Sequence, residues 1–245
     1  MISKGVAAFE TVVFEKAGGI AWLTLNRPDV LNAVNNRMRD ELWTVMEAVR
    51  NDPDVKVLVI KGAGERGFSS GADVGEFGTA PSYVEARRAR RERDLWQLML
   101  DIDKPLIAAV HGYTLGAGCE MSLCCDLRVA AADTRLGLPE VKLGYMPSAG
   151  GTQLLPRTIG TGAAMEMILT GNDIDAAEAL RLGLVHKVVP RDRLYAEAEA
   201  WARTLAARPS TVLRLAKQAV VRGLELSLEE GLALEQRLAC LLPES

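Results

Sequence analysis

Three short apolar segments constrain the fold of this chain more than any other feature. They occupy residues 55–60, 106–110 and 127–131. Segments that are apolar at nearly every position are typical of parallel strands covered on both faces. Stretches with helical spacing alternate with them at residues 35–50 and 82–100. This alternation predicts the α/β class, with right-handed crossover units around a largely parallel sheet.

The two ends of the chain extend this prediction. Residues 9–14 and 20–26 are β-branched or aromatic around Gly18-Gly19, which predicts a hairpin. Beyond Gly150 strand signals fade, except at residues 185–189, and helical spacing dominates at residues 194–207, 209–222 and 227–241. We therefore expect an α/β core over residues 1–187 and a helical C-terminal region over residues 188–245.

Charge, hydropathy and cysteine content restrict the partners and the location. A net charge of -3 over 245 residues gives no reason to expect nucleic acid or an anionic membrane as a partner. The chain lacks an apolar run of the ~18 residues that a membrane span needs, and residues 1–10 lack the apolar stretch of a secretory signal. Its cysteines have no zinc spacing, so we expect reduced thiols, no metal and a cytoplasmic protein.

Two glycine-rich segments stand where a ligand site is expected. They are residues 68–74, after the first apolar run, and residues 111–120, after the second. Such turns either reverse the chain or leave backbone N–H groups aimed at an anion, and the residues alone leave both interpretations open. If both runs are strands of one parallel sheet, both turns open at the same carboxyl edge, where ligands bind. Neither turn has the dinucleotide or phosphate-loop pattern.

Two glutamates follow glycine-bearing segments, Glu120 after Gly116-Ala117-Gly118 and Glu140 after Gly137-Leu138-Pro139. Reactions next to a carbonyl need two things, stabilisation of an oxyanion and proton transfer. Backbone amide donors can stabilise the oxyanion, and carboxylates can transfer the protons. The alternative is that Glu120 is a capping group near a helix start and Glu140 a solvated loop carboxylate.

Ordered motifs along nearly the whole chain carry a family resemblance. They are Asn26-Arg27-Pro28 with Leu31-Asn32-Ala33, Ser70-Gly71-Ala72-Asp73, Gly116-Ala117-Gly118-Cys119-Glu120, Pro139-Glu140, Gly150-Gly151-Thr152-Gln153, Ala176-Ala177-Glu178-Ala179 and Leu182-Gly183-Leu184-Val185. Together they resemble the enoyl-CoA hydratase/isomerase (crotonase) superfamily. The resemblance implies a ββα spiral core with a C-terminal helical trimerisation region, assembled as a homotrimer or a dimer of trimers, acting on acyl-CoA thioesters in fatty acid metabolism.

The resemblance also implies the site residues. The backbone N–H groups of Ala72 and Ala117 form the oxyanion hole, and Glu120 and Glu140 are the catalytic glutamates. No cofactor is implied, since coenzyme A is part of the substrate. The residues expected to contact the substrate or its CoA portion are Val30, Ser70, Ala72, Asp73, Val74 and Gly116.

Retention of both glutamates favours one reaction of the family. Hydratases carry two, whereas isomerase-type members commonly keep one. We therefore expect an enoyl-CoA hydratase that adds water to a trans-2-enoyl-CoA, or removes it from a 3-hydroxyacyl-CoA. The alternatives are another acyl-CoA reaction, namely double-bond isomerisation, C–C hydrolysis or decarboxylation, and a non-enzymatic RNA-binding or scaffold protein that uses the basic run at residues 87–93.

The chain departs from the family pattern in two places. Ala117 stands where the family usually has glycine, and its amide donor survives that change at negative φ. The chain stops at Leu242-Pro243-Glu244-Ser245, where family members usually continue with another helix over the CoA site. Either this chain is shortened or the protein does without that helix, so the resemblance does not extend to contacts between the tail and the adenine end of CoA.

Overall fold

The central element of the fold is a mostly parallel sheet. The computed structural model describes residues 9–76 and 92–242. Its strands, numbered in chain order, are β1 (Val12–Ala17), β2 (Ile20–Leu25), β3 (Val57–Gly62), β4 (Gly67–Ser69), β5 (Leu106–Val110), β6 (Tyr113–Leu115), β7 (Leu127–Ala131), β8 (Arg135–Gly137), β9 (Ile174–Asp175) and β10 (Lys187–Val189). Six of them form one sheet in the order β1-β2-β3-β5-β7-β10.

This sheet confirms the predicted α/β class and the predicted hairpin. β1 pairs with β2 in antiparallel register, and all neighbours from β2 to β10 are parallel. Along β3, Leu58 and Ile60 belong to one buried cluster, while Val57 and Val59 belong to a second cluster on the other face. Both faces are covered, and for that reason the strands are apolar at successive positions.

Helices cover both faces of the sheet. They are α1 (Asn36–Asn51), α2 (Leu95–Asp101), α3 (Ala117–Leu123), α4 (Gly151–Ile159), α5 (Thr161–Thr170), α6 (Ala176–Arg181), α7 (Leu194–Ala206), α8 (Ser210–Gly223) and α9 (Leu228–Ala239). The predicted helix at 35–50 is confirmed as α1, which Asn35 caps by accepting a hydrogen bond from Met38 N. Of the helix predicted at 82–100, residues 77–91 lie outside the described residues, as does most of the basic run at 87–93.

The C-terminal helices follow the predicted spacing. α7 places Leu194, Ala198 and Ala202 against the second face of the sheet, at the four-residue spacing of one helix face. β10 spans the expected boundary at residue 187 and pairs with β7, so the domain division stays a prediction. None of the helices in the described residues is long and apolar enough to cross a membrane.

A second, smaller sheet was not predicted from the sequence. Its order is β4-β6-β8-β9, with β4, β6 and β8 parallel and β9 antiparallel. These strands are three residues long or shorter, too short for an alternating pattern to emerge. The small sheet nevertheless organises the site, because the chain leaves β4, β6 and β8 directly into the segments that carry Ala72, Ala117 and Glu140.

Candidate active site

Ala72 lies in the loop that leaves β4, beside residue Val34. Val34 N donates to Gly71 O at 2.8 Å, and Asp73 N donates to Val34 O at 3.0 Å. These bonds use the peptide groups on either side of Ala72, as in a parallel β-bridge. Because the C=O and N–H of one trans peptide group point in opposite directions, and Gly71 O points toward Val34, the Ala72 N–H points away from Val34.

Ala117 is the first residue of α3, so its N–H has no acceptor within the helix. The residue before it, Gly116, has φ 50° and ψ -127°, a backbone conformation that only glycine adopts readily. A Cβ added to Gly71 would stand 3.3 Å from Ala117 N. The Ala72 loop and the N-terminus of α3 are therefore in direct contact, as the shared sheet edge predicted.

Glu120 lies in the first turn of α3 and is 2% exposed. Its Oε1 accepts hydrogen bonds from Ala149 N at 2.9 Å and Gly151 N at 2.8 Å. Two amide donors on one oxygen stabilise the ionised carboxylate and fix its orientation. The interpretation of Glu120 as an ordinary capping group does not account for this burial and this pair of donors.

Glu140 lies in a short 3-10 helix, Pro139–Leu143, that follows β8. Its Oε1 would be 3.0 Å from a Cβ at Gly116, so the carboxyl group lies against the turn that precedes Ala117. Its Oε2 is buried without a hydrogen-bond partner in the described part of the chain. Burial, helped by the nearby charge of Glu120 and opposed by a backbone hydrogen bond, raises the pKa of Glu140 to about 7.

The arrangement brings two carboxyl groups with different environments to one edge of the fold. Glu120 accepts hydrogen bonds from two backbone amides, whereas Glu140 is buried and its pKa is raised to about 7. The backbone N–H groups of Ala72 and Ala117 lie on the two loops that contact each other at this edge. Chemically, this combination can hold an oxyanion and move protons beside it.

The remaining predicted binding residues surround the same loops. Val30 and Val74 are apolar and 46% and 59% exposed. Asp73 holds its loop, since its carboxylate accepts from Gly75 N at 3.1 Å and from Arg27 Nη1 at 2.9 Å. Ser70 is partly buried and donates its backbone N–H to Leu31 O.

Three residues that hold this site were not predicted from the sequence. Ala149 N and Gly151 N donate to Glu120 Oε1, and Asn32 Nδ2 donates to Gly67 O and Phe68 O in β4, the strand that leads into the Ala72 loop. Asn32 and Gly151 each stand in a motif that carried the family resemblance, which was the available signal. Among the described residues, no three His, Cys, Asp or Glu side chains are placed to hold a metal ion.

Comparison with known sequences finds similarity along nearly the whole chain. The profile of the enoyl-CoA hydratase/isomerase family matches residues 15–244. A probable enoyl-CoA hydratase, echA8, of Mycobacterium bovis is 42% identical over 94% of this chain and 88% of its own length. A crotonyl-CoA hydratase of Syntrophomonas wolfei is 38% identical over 93% of this chain and 88% of its own length.

Solved structures give the same result for the fold. The crystal structure of an enoyl-CoA hydratase subunit from Geobacillus kaustophilus superposes with a TM-score of 0.91. The alignment is 37% identical in sequence and covers 96% of this chain and 90% of the other. The crotonase-like fold predicted from the motifs is confirmed. The chain belongs to the enoyl-CoA hydratase/isomerase family.

Proposed function

We propose that this protein is an enoyl-CoA hydratase, which adds water to a trans-2-enoyl-CoA to form a 3-hydroxyacyl-CoA and catalyses the reverse dehydration. The observation that carries this proposal is the convergence of Glu120 and Glu140 beside the loops of Ala72 and Ala117. Water addition needs two proton transfers, one from the water that attacks the β-carbon and one to the α-carbon, and two carboxyl groups supply them. The similar proteins named as hydratases support the same reaction.

In the proposed mechanism, the two backbone amides bind the thioester. The N–H groups of Ala72 and Ala117 donate hydrogen bonds to the thioester oxygen, which becomes more negative as the α-carbon gains enolate character. Each donor of this kind is worth roughly 100- to 1,000-fold in rate. Val30, Ser70, Asp73, Val74 and Gly116 are proposed to contact the CoA portion or the thioester.

The two glutamates divide the proton transfers. Glu120, as carboxylate, takes a proton from water while the water oxygen bonds to the β-carbon. The electron pair of the double bond moves toward the thioester carbonyl and then accepts the proton of Glu140 at the α-carbon. The substrate has gained H and OH, and a proton returning from Glu120 to Glu140 restores the starting state. These steps use no other group, so a cofactor-free reaction stays a prediction.

Turnover of crotonyl-CoA tests the proposal directly. We expect the purified protein to consume the absorbance of the conjugated enone, and the product formed in heavy-oxygen water to carry the label at the β-carbon. Label in the product distinguishes hydration from double-bond isomerisation, which incorporates none. If the protein turns over no trans-2-enoyl-CoA from short to long acyl chains, the proposed function is wrong.

The rate should depend on pH through Glu140, whose pKa burial raises to about 7. Hydration needs ionised Glu120 with protonated Glu140. Dehydration needs protonated Glu120 with ionised Glu140, so both directions use the pair when it carries one proton. Raising the pH above about 7 removes the shared proton, so kcat/KM in both directions should fall together, by about tenfold per pH unit well above the pKa. A pH–rate profile that stays flat to pH 9 would contradict this role of Glu140.

We also propose that the protein assembles as a homotrimer or a pair of trimers. Helices α8 and α9 pack on each other, yet neither contains a buried residue. Val220, Leu224, Leu228 and Leu232 are 64%, 81%, 80% and 57% exposed. Apolar faces of this kind are covered in symmetric assemblies. Sedimentation velocity should yield a species of three or six chains, and a monomer at micromolar concentration would contradict the proposal.

A further inference from the structure

Residues 31–34, called the strap below, run beside the loop that carries Ala72 and have unusual backbone conformations. Leu31 and Asn32 have φ values of 55° and 53°, and no other non-glycine residue in ranges 9–76 and 92–242 has a positive φ. Left-handed backbone is disfavoured for leucine and persists where surrounding contacts over-determine it. The contacts that hold the strap therefore indicate what it does.

The side chain of Asn32 supplies four of these contacts and is fully buried. Its Oδ1 accepts from Arg27 N at 2.9 Å. Its Nδ2 lies 2.9 Å from Ala63 O and 3.1 Å from both Gly67 O and Phe68 O. One amide group thus joins the start of the strap to the end of β3 and to β4. Aspartate has no N–H donors for these carbonyls, and glycine has no side chain to make the link.

The backbone carbonyls of the strap receive hydrogen bonds from the next loop. Ser70 N donates to Leu31 O at 2.9 Å. Ser69 Oγ donates to Asn32 O at 2.9 Å, and the same hydroxyl accepts from Gly71 N at 3.3 Å. The left-handed turn at residues 31 and 32 is what presents both carbonyls to the loop.

The end of the strap fixes the direction of the Ala72 N–H. Val34 binds Gly71 O and Asp73 N, and these bonds leave the N–H of Ala72 on the side opposite Val34, in a loop whose Gly71 lies against the N-terminus of α3. A small rotation of the strap would therefore rotate this N–H out of line with the Ala117 N–H. Hydrogen bonds prefer an N–H···O angle above about 150° and weaken steeply below about 120°, so the orientation of the strap matters for a shared acceptor.

We propose that Asn32 is a positioning residue, whose buried amide locks the left-handed strap so that the strap aims the Ala72 N–H at the thioester oxygen. The inference rests on the proposed function, because it gives this N–H its acceptor. It adds a residue that lies outside the pair of glutamates and the pair of oxyanion donors. Asn32 acts through the loop and does not contact the reacting atoms.

The test compares Asn32→Gly with wild type, because glycine keeps the left-handed backbone and removes the link. The probe is 4-dimethylaminocinnamoyl-CoA, whose absorption moves to longer wavelength when donors polarise its carbonyl. We expect wild type to cause this red shift and Asn32→Gly to lose most of it. The kcat for crotonyl-CoA should fall by about tenfold or more, part of the loss seen when a donor is removed altogether.

Asn35→Gly is the matched control. Asn35 lies just beyond the strap, and its side chain caps α1 by accepting from Met38 N at 2.8 Å. Loss of this cap lowers stability, but it leaves the Ala72 loop untouched. We expect Asn35→Gly to retain the full red shift and the wild-type kcat. If Asn32 had a merely structural role, the two variants would differ only in thermal stability.

The other possible results of this test each overturn a stated claim. A folded Asn32→Gly protein with the full red shift and wild-type kcat overturns the inference, as does equal behaviour of the two variants. If Asn32→Gly does not fold, Ser69→Ala replaces it, since it removes the hydroxyl link to Asn32 O, and a full red shift there overturns the inference. If the wild-type protein hydrates crotonyl-CoA but causes no red shift of the probe, the inference is wrong and the proposed function stands. If the wild-type protein shows no hydration, the proposed function is wrong as well.

Discussion

Hydration of crotonyl-CoA by a Glu120→Gln variant is expected to be about 100- to 10,000-fold slower than by wild type, the usual contribution of a general acid or base. Glutamine has nearly the shape of glutamate, and its side-chain oxygen can still accept from Ala149 N and Gly151 N, as Glu120 Oε1 does. The variant should therefore fold and bind substrate, but its amide cannot take a proton from water. Steady-state kinetics with thermal unfolding measure both properties.

Glu41→Gln is the matched control for this prediction. Glu41 is also a buried glutamate, 6% exposed, and accepts from Thr11 N, Thr11 Oγ1 and Arg37 Nε. Burial alone would raise its pKa, but these hydrogen bonds lower the pKa to about 2. Glu41→Gln should lose stability at neutral pH and keep its kcat. A Glu120→Gln protein with the same kcat as Glu41→Gln would exclude Glu120 from the chemistry.

Gly151→Ala is expected to lower kcat by about 100-fold, the cost of a catalytic group misplaced by roughly 1 Å. A Cβ at this position would stand 2.9 Å from Glu120 Oε1 and 2.9 Å from Leu138 Cδ1. Both atoms are ends of side chains, so they move while the backbone stays in place. The Glu120 carboxylate would then leave its two amide donors. Kinetics across pH should reveal the change, because the charge of Glu120 also raises the pKa of Glu140.

Gly162→Ala, in α5, makes the same chemical change without the contact. Within residues 9–76 and 92–242, a Cβ at Gly162 would meet no atom within 4 Å apart from its chain neighbours and the backbone of its own helix, and the φ of Gly162 is not positive. Alanine should leave kcat unchanged there and raise stability by roughly 0.5–1 kcal/mol, the difference in helix propensity. Equal kcat values for Gly151→Ala and Gly162→Ala would mean that the hydrogen bonds from Ala149 N and Gly151 N to Glu120 do not matter for catalysis.

The sequence predicted the large sheet well because its pattern is strong. Residues 57–60 and 106–110 are fully buried, and such segments are apolar at every position whatever their partners are. The small sheet escaped prediction for the opposite reason. β4, β6 and β8 span three residues each. Pairing with one another stabilises these strands, and no local sequence pattern indicates such pairing.

The candidate site was predicted in outline. The motifs identified Ala72, Ala117, Glu120 and Glu140, and the parallel strands predicted a common edge for the two glycine-rich turns. The motifs did not reveal how the glutamates differ. Glu120 and Glu140 have the same side chain and both follow glycine-bearing segments, so their separate environments depend on which distant residues surround each of them.

Local patterns and ordered motifs were therefore enough to predict the α/β class, the family and the residue types that can carry the chemistry. The hydrogen bonds from Ala149 N and Gly151 N to Glu120, the burial that raises the pKa of Glu140 to about 7, and the contacts between the strap and the Ala72 loop became visible only in the folded protein. Burial, hydrogen-bond direction and Coulomb interaction depend on distances between residues far apart in the chain, and those distances exist only after folding.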